Sequence, residues 1–213
     1  MDANWLGHST RAVADMLKYI LTTGGWILVP LALLSLTALA VAIERGWRLL
    51  PLRRRCRLDR QALLEALVRE GPEAAVAAID AASPVARVAR AGLTAKARGL
   101  ELVRLAALDA AQREVAVCER GLGVLLVATQ AAPLLGLLGT VLGLVHAFQG
   151  ASGGGQINSA LLMSGIHQAF GATVAGLLIA IPAFLAYAGL TGVVARIADQ
   201  LEQVATDLPL VLR

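Results

Sequence analysis

The apolar residues of this chain fall in blocks. The first block runs from Tyr19 to Ile43 without one Asp, Glu, Lys or Arg. A helix crossing the hydrocarbon core needs about 20 predominantly apolar residues, so this run suffices for one span. Ala38-Leu39-Ala40 has the small-residue look of a cleavage site. The run is nevertheless too long for the apolar stretch of a signal peptide, which is about 7–15 residues. A second charge-free stretch lies between Arg120 and Arg196. It is too long for a single span, and Gln149 to Ser159, QGASGGGQINS, divides it with glycine and small polar residues typical of a turn. Two further spans follow, 121–148 and 160–195. The last exceeds a hydrocarbon core of about 30 Å at about 1.5 Å per residue, so its helix projects beyond the membrane.

The segment between the blocks is charged and rich in Ala and Leu. Arg60 to Arg69 has helical patterning. Gly71-Pro72 breaks it, and Pro72 suits the first turn of a helix running from Glu73 to Ala81. Ser83-Pro84 breaks the chain again, before helices from Pro84 to about Lys96 and from near Leu100 through Glu119. Such short helices bury apolar stripes against one another and against extensions of the spans. The fold class is therefore an all-α membrane protein with three transmembrane helices and long helical extensions. Its expected segments are an N-terminal stretch 1–18, a first span 19–43, a water-facing helical region 44–120, a second span 121–148, a loop 149–159, a third span with its extension 160–195, and a C-terminal stretch 196–213.

Composition agrees with this pattern. The chain is 57% hydrophobic and 16% charged, with a mean hydropathy of +0.69. An ordinary soluble domain is about half apolar and about a quarter charged. Charge placement sets the orientation. The first span is preceded by Arg11 and Lys18 and followed by Arg45, Arg48, Arg53, Arg54, Arg55, Arg57 and Arg60. Positive flanks stay inside, which puts the N-terminus outside and the C-terminus in the cytoplasm. The arginine cluster reads first as this topology signal and second as a contact for anionic lipid. Cys56 and Cys118 are too few for a disulfide framework and lack metal-ligand spacing. With no basic patch interleaved by aromatics, nucleic acid is not an expected partner. No metal or cofactor motif is present, and no nucleophile–base pair, so an enzyme is not expected.

The spans carry small residues at helical spacing. Ala132, Gly136, Gly139, Thr140 and Gly143 mark the second, with Gly139 and Gly143 forming a GxxxG pair. Gly165, Ala169, Ala172, Thr173, Gly176, Ala180 and Ala183 mark the third. Lipid gives no hydrophobic drive for helices to associate, so close backbone approach supplies packing instead. Thr140 and Thr173 lie on these small-residue faces. Each hydroxyl either bonds the carbonyl one turn back or lines a polar path through a bundle. Gln168 lies about 140° from Thr173 on a helical wheel, on a neighbouring face, and its amide needs a partner or a watery cavity. His146 and His167 flank the loop and read as interfacial side chains, with a proton relay as the alternative. Two histidines with no nearby carboxylate make a poor metal site. Pro133 and Pro182 each remove a backbone hydrogen bond and are expected to kink their helices. Neither the second nor the third span contains a carboxylate, so an ion pathway there needs one from a partner subunit.

Three stretches resemble the ExbB/TolQ/MotA family of energy-transducing channel subunits, ExbB-like members above all. Gly25-Trp26-Ile27-Leu28-Val29-Pro30 through Glu44-Arg45-Gly46-Trp47-Arg48-Leu49 is similar to the first span and its exit. EVAVCERGLGVLLVATQAAPLLGLLGTVLGLVHAF, Glu114 to Phe148, is similar to the second, and GIHQAFGATVAGLLIAIPAFLAY, Gly165 to Tyr187, to the third. The likeness covers most of the chain. It implies a homo-oligomer, a pentamer in known members, forming a bundle around a central pore. That pore holds the single transmembrane helices of an ExbD- or TolR-like dimer with an essential aspartate. On this likeness Thr140 and Thr173 match the pore threonines facing that acid, and the outside is the periplasm of a bacterial inner membrane.

One position departs from the family pattern: Gln168 stands where many members carry glutamate. Glutamine keeps size and hydrogen bonding but holds no charge. Three readings follow: the partner aspartate suffices, the coupling ion is sodium, or transport is weakened. The function implied is a motor subunit that couples proton motive force to mechanical work, energising TonB-dependent outer-membrane transport. A TolQ-like motor for envelope maintenance, working through a TolA-like protein, and a non-conducting scaffold are the alternatives.

Overall fold

The structure, a computed structural model, describes residues 27–151 and 159–212, apart from the side chains at 73, 150, 151, 161 and 168. The N-terminal stretch 1–18, the start of the first expected span, most of the loop 149–159 and the side chain of Gln168 therefore lie outside the described residues. The helices are α1 (Leu28–Arg69), α2 (Pro72–Ala77), α3 (Pro84–Thr94), α4 (Leu100–Glu119), α5 (Leu122–Ala151) and α6 (Ser159–Val211), with a 3-10 turn at Lys96–Arg98. Among these, α1, α5 and α6 are long and apolar enough to cross a membrane. At about 1.5 Å per residue, the 42 residues of α1 and the 53 of α6 extend about 63 and about 80 Å. Each far exceeds a hydrocarbon core of about 30 Å. Both helices change composition along their length, from an apolar run to a charged one, while the backbone stays helical throughout. Pro51, Pro133 and Pro182 are carried inside continuous helix.

The chain divides into two compact units. Among the described residues, one comprises those from Ile27 to Val41 and those between Val124 and Ala186. Its core gathers Ile27, Leu28 and Leu31 with Ala132, Ala175 and Ala180, and Leu34, Leu135, Leu142 and Ile179 pack around them. Large apolar side chains such as Leu33, Leu36, Leu134, Leu137, Phe170, Ile181 and Leu185 stay exposed on its outer faces. Lipid tails are the solvent that such a surface fits.

The other unit comprises Ala42–Gly123 and Tyr187–Arg213. Here the core is an ordinary water-soluble one, built from Cys56, Leu63, Val85, Val88, Val103, Ile197, Leu201, Val204 and Leu208. The buried stripe Val85, Ala86, Val88, Ala89 and Gly92 of α3 meets Val103, Ala107 and Ala111 of α4. Gly92 is needed where these helices meet, because a methyl there would lie 2.6 Å from Leu208 Cδ2 and 3.2 Å from the Val103 carbonyl. Gly71 and Gly99 hold helix junctions at φ of 90° and 110°, a region that side-chain-bearing residues rarely adopt.

Two helices are shorter than their sequence patterning suggests. The helix expected over Glu73–Ala81 ends at Ala77. The Asp80 carboxylate takes the Ala82 N–H, and the Asp80 carbonyl takes the Ser83 N–H, so a local turn replaces the last helical turn. Beyond Thr94, α3 gives way to the 3-10 turn that leads into Gly99. Polar clamps join these segments. Ser83 Oγ donates to Asp59, and the Arg87 guanidinium grips both carboxylate oxygens of Glu114 while donating to the Ala82 carbonyl. Arg60 Nη2 donates to Asp207 Oδ2 at 3.2 Å, tying α1 to α6.

Candidate functional site

The small residues of α5 and α6 face one another in an antiparallel seam. Down its length Ala132 meets Gly176, Gly136 meets Ala172 and Thr173, Gly139 meets Ala172, Gly143 meets Ala169, and Ala147 meets Gly165. The glycines are required by the closeness. A methyl on Gly176 would lie 2.5 Å from the Ala132 carbonyl oxygen, and one on Gly136 would lie 2.9 Å from that of Ala172. On Gly143 it would be 3.0 Å from the Ala169 Cβ, and on Gly139 or Gly165 it would overlap the opposite alanine methyl. Ala132, Ala147, Ala169 and Ala172 are correspondingly buried. Dispersion between backbones in near contact substitutes here for the hydrophobic drive that lipid cannot provide.

The two threonines use their hydroxyls differently. Thr173 Oγ1 crosses the seam and donates to the Gly136 carbonyl at 3.2 Å. Thr140 Oγ1 donates back to Leu137 of its own helix at 2.6 Å. Gly136 and Thr140 are one turn apart, so both hydroxyls belong to adjacent turns of one stretch of seam. Both side chains are half-buried. The Gly136 carbonyl was not evident as an acceptor from the sequence. Its one signal is position, three residues after Pro133 and four before Thr140, with no side chain to screen the carbonyl.

The remaining candidates are distributed along the same two helices. Pro133 is half-buried on α5 and Pro182 is exposed on α6, and neither interrupts its helix. His146 and His167 are exposed. Gln168 belongs to α6 at the residue before Ala169, with its side chain outside the described residues. The charge-free run between Arg120 and Arg196 makes the whole seam free of carboxylates and ammonium groups. It offers hydroxyls and carbonyls, which can carry or coordinate a cation but cannot bind and release a proton near neutral pH.

A family model for MotA/TolQ/ExbB proton channels matches residues 80–203, more than half of the chain and the whole of the seam. The chain belongs to this family. Among its relatives, the biopolymer transport protein ExbB-like 1 of Synechocystis sp. is 33% identical over 98% of the chain and 82% of its own length. The biopolymer transport protein ExbB of Pseudomonas putida is 30% identical over 84% of the chain and 57% of that protein. The Tol-Pal system protein TolQ of Haemophilus influenzae is 40% identical over 37% of the chain and 34% of that protein. As a MotA/TolQ/ExbB member the chain is a proton-channel, energy-transducing membrane subunit with helical spans. The α5–α6 seam with Thr140 and Thr173 falls inside the matched region, and so does the run of α4 that leads into α5.

Proposed function

We propose that this chain is the channel subunit of an inner-membrane motor that couples proton motive force to work at the outer membrane, in the manner of ExbB in TonB-dependent transport. Several copies, five on the family likeness, surround single-span partner helices of the ExbD or TolR kind. The N-terminus is periplasmic and the C-terminus cytoplasmic, as the arginines after Ile43 favour. The observation that carries this reading is a carboxylate-free seam with hydroxyls on adjacent turns, Thr140 and Thr173, in a proton-channel family member. An ion path built on it is incomplete until a partner adds an acid. The partner aspartate takes up a proton beside these threonines and releases it further along, so that its charge alternates. One elementary charge crossing 100 mV releases about 2.3 kcal/mol, enough to bias one partner-helix position over another by more than tenfold. A TonB-like protein carries that motion to the envelope.

Gln168, where many family members carry glutamate, holds no charge, and the proton is handled by the partner. The test is proton flux into vesicles holding the chain with its single-span partner. Flux that depends on both subunits and collapses when the partner aspartate becomes asparagine is expected. Vesicles that stay tight would leave a non-conducting scaffold as the better reading. Gln168→Glu is expected to change the flux or its pH dependence. The likeness to TolQ keeps the Tol-Pal role as the second reading. Expression in cells lacking ExbB and in cells lacking TolQ separates them, with rescue of the former expected.

A further inference from the structure

An open groove of about 930 Å³ lies in the unit formed by Ala42–Gly123 and Tyr187–Arg213. Its walls are Leu50, Pro51, Arg53, Arg54, Arg57 and Arg60 from α1, and Arg196, Asp199, Gln200 and Gln203 from α6. Two stripes with the same helical spacing face it: Arg53, Arg57 and Arg60 on one helix, and Arg196, Gln200 and Gln203 on the other. Positions i, i+4 and i+7 share a helix face, so each set is presented together.

The charge in this groove is not balanced. Five guanidinium groups line it against the one carboxylate of Asp199. Arg60 is paired, through Asp207. Among the described residues Arg53, Arg54, Arg57 and Arg196 form no ion pair. At the base, the Arg60 Nε and the Gln200 Oε1 are buried without a hydrogen-bond partner. A positive-inside signal explains arginines after the first span, but it does not explain their collection into a concavity completed by Arg196 from a helix far away in sequence. Like charges gathered in a concave surface repel one another, and a multivalent anion relieves that repulsion. Planar guanidinium forks match phosphate oxygens in pairs. The groove volume lies in the ordinary range for small-ligand sites, about 300–1,000 Å³.

We propose that this groove is a binding site for a phosphate-bearing anion. Arg53, Arg57 and Arg196 hold the phosphate oxygens from two sides, and the Arg60 Nε donates from below. Along α1, Arg57 and Arg60 lie about 21 and about 25 Å past the end of the apolar run at Ile43. The headgroup layer is only about 5–8 Å thick on each side. Leu50 and Arg53, about 10 and about 15 Å past that point, already lie beyond this layer, so the groove favours a water-soluble anion with two or more phosphates. Occupancy would neutralise one wall against the other and tie α1 to α6 more firmly, beside the Arg60–Asp207 contact.

The test uses the full chain in phosphatidylcholine nanodiscs, titrated calorimetrically with pyrophosphate and with sodium chloride at matched ionic strength. Saturable binding of pyrophosphate is expected. Arg57→Gln/Arg196→Gln is expected to weaken it at least about tenfold, while Arg113→Gln, whose arginine pairs with Asp109 on α4, leaves it unchanged. A second set of discs contains phosphatidylglycerol. If this lipid weakens pyrophosphate binding in the native chain but not in the double variant, the groove takes the phosphate of a headgroup. If the lipid has no effect, it takes a soluble anion. Should the double variant lose helical content, Arg57→Lys/Arg196→Lys keeps the charge without the fork and is expected to bind with intermediate affinity. No saturable binding in phosphatidylcholine discs, or equal affinity in the native chain and the double variant, overturns the site.

Discussion

Thr173→Val separates packing from ion handling at the centre of the seam. Valine has nearly the volume of threonine and the same branching at Cβ, so the fit of α6 against α5 is preserved. What disappears is the hydroxyl and its 3.2 Å bond to the Gly136 carbonyl. Interhelical hydrogen bonds within membranes contribute about 0.6 kcal/mol on average and at most about 1.7 kcal/mol. A bond of this length belongs in the lower half of that range. The Gly136 carbonyl keeps its place in the helical ladder of α5, so no buried group is orphaned. The expected loss of stability is therefore below about 1 kcal/mol, with assembly intact. Proton flux and coupled transport, by contrast, are expected to be lost, while Thr173→Ser retains them. Unfolding of the detergent-solubilised protein measures the first quantity, and flux in vesicles with the partner measures the second. Normal transport by an assembled Thr173→Val complex would refute the role given to this hydroxyl. A stability loss of several kcal/mol would show instead that Thr173 is chiefly a packing residue.

Gly176→Ala puts a methyl 2.5 Å from the Ala132 carbonyl oxygen, where ordinary contact begins at 3.4 Å. The helices must part by about 0.9 Å, and a cost of about 1–3 kcal/mol in thermal or denaturant unfolding is expected, as for overpacked cores; an unchanged midpoint would contradict the close approach. Burial, and next the charge of Asp59, push the Cys56 thiol up from 9.0 to about 12. Above pH 9 the unfolded chain loses this proton while the folded chain keeps it, so stability is full below pH 9 and falls as pH rises toward 12. The contribution is up to roughly 1.4 kcal/mol per pH unit. Unfolding of Cys56→Ala at pH 8 and at pH 10.5 should show a smaller drop than the native chain does. Arg87→Ala leaves the largely buried Glu114 carboxylate without its guanidinium and is expected to cost about 1–3 kcal/mol, read from the same unfolding curves. Its second effect is to loosen α3 from α4, visible as faster amide exchange in α3.

The sequence by itself determined where the long apolar helices lie, because hydrocarbon tolerates neither charge nor unpaired backbone, and the runs without charge are plain to read. It also marked the helix breaks at Gly71-Pro72 and Ser83-Pro84, and the glycines and alanines that must face protein. The ends of α2 and α3 were less legible, since the side chain of Asp80 and the backbone around Gly99 settle them by local hydrogen bonds that periodicity does not register. Only the tertiary structure decided which residues meet. The partner of Thr173 is a backbone carbonyl 37 residues away, and that of Arg60 is a carboxylate 147 residues away. Thr140 and Thr173 look alike on their helical faces, yet one bonds its own helix and the other its neighbour. The difference comes from the register of α5 against α6, which packing of small side chains selects and no local pattern encodes. The arginine groove has the same origin: the two stripes can be read along α1 and α6, but their convergence exists only once the helices are laid side by side.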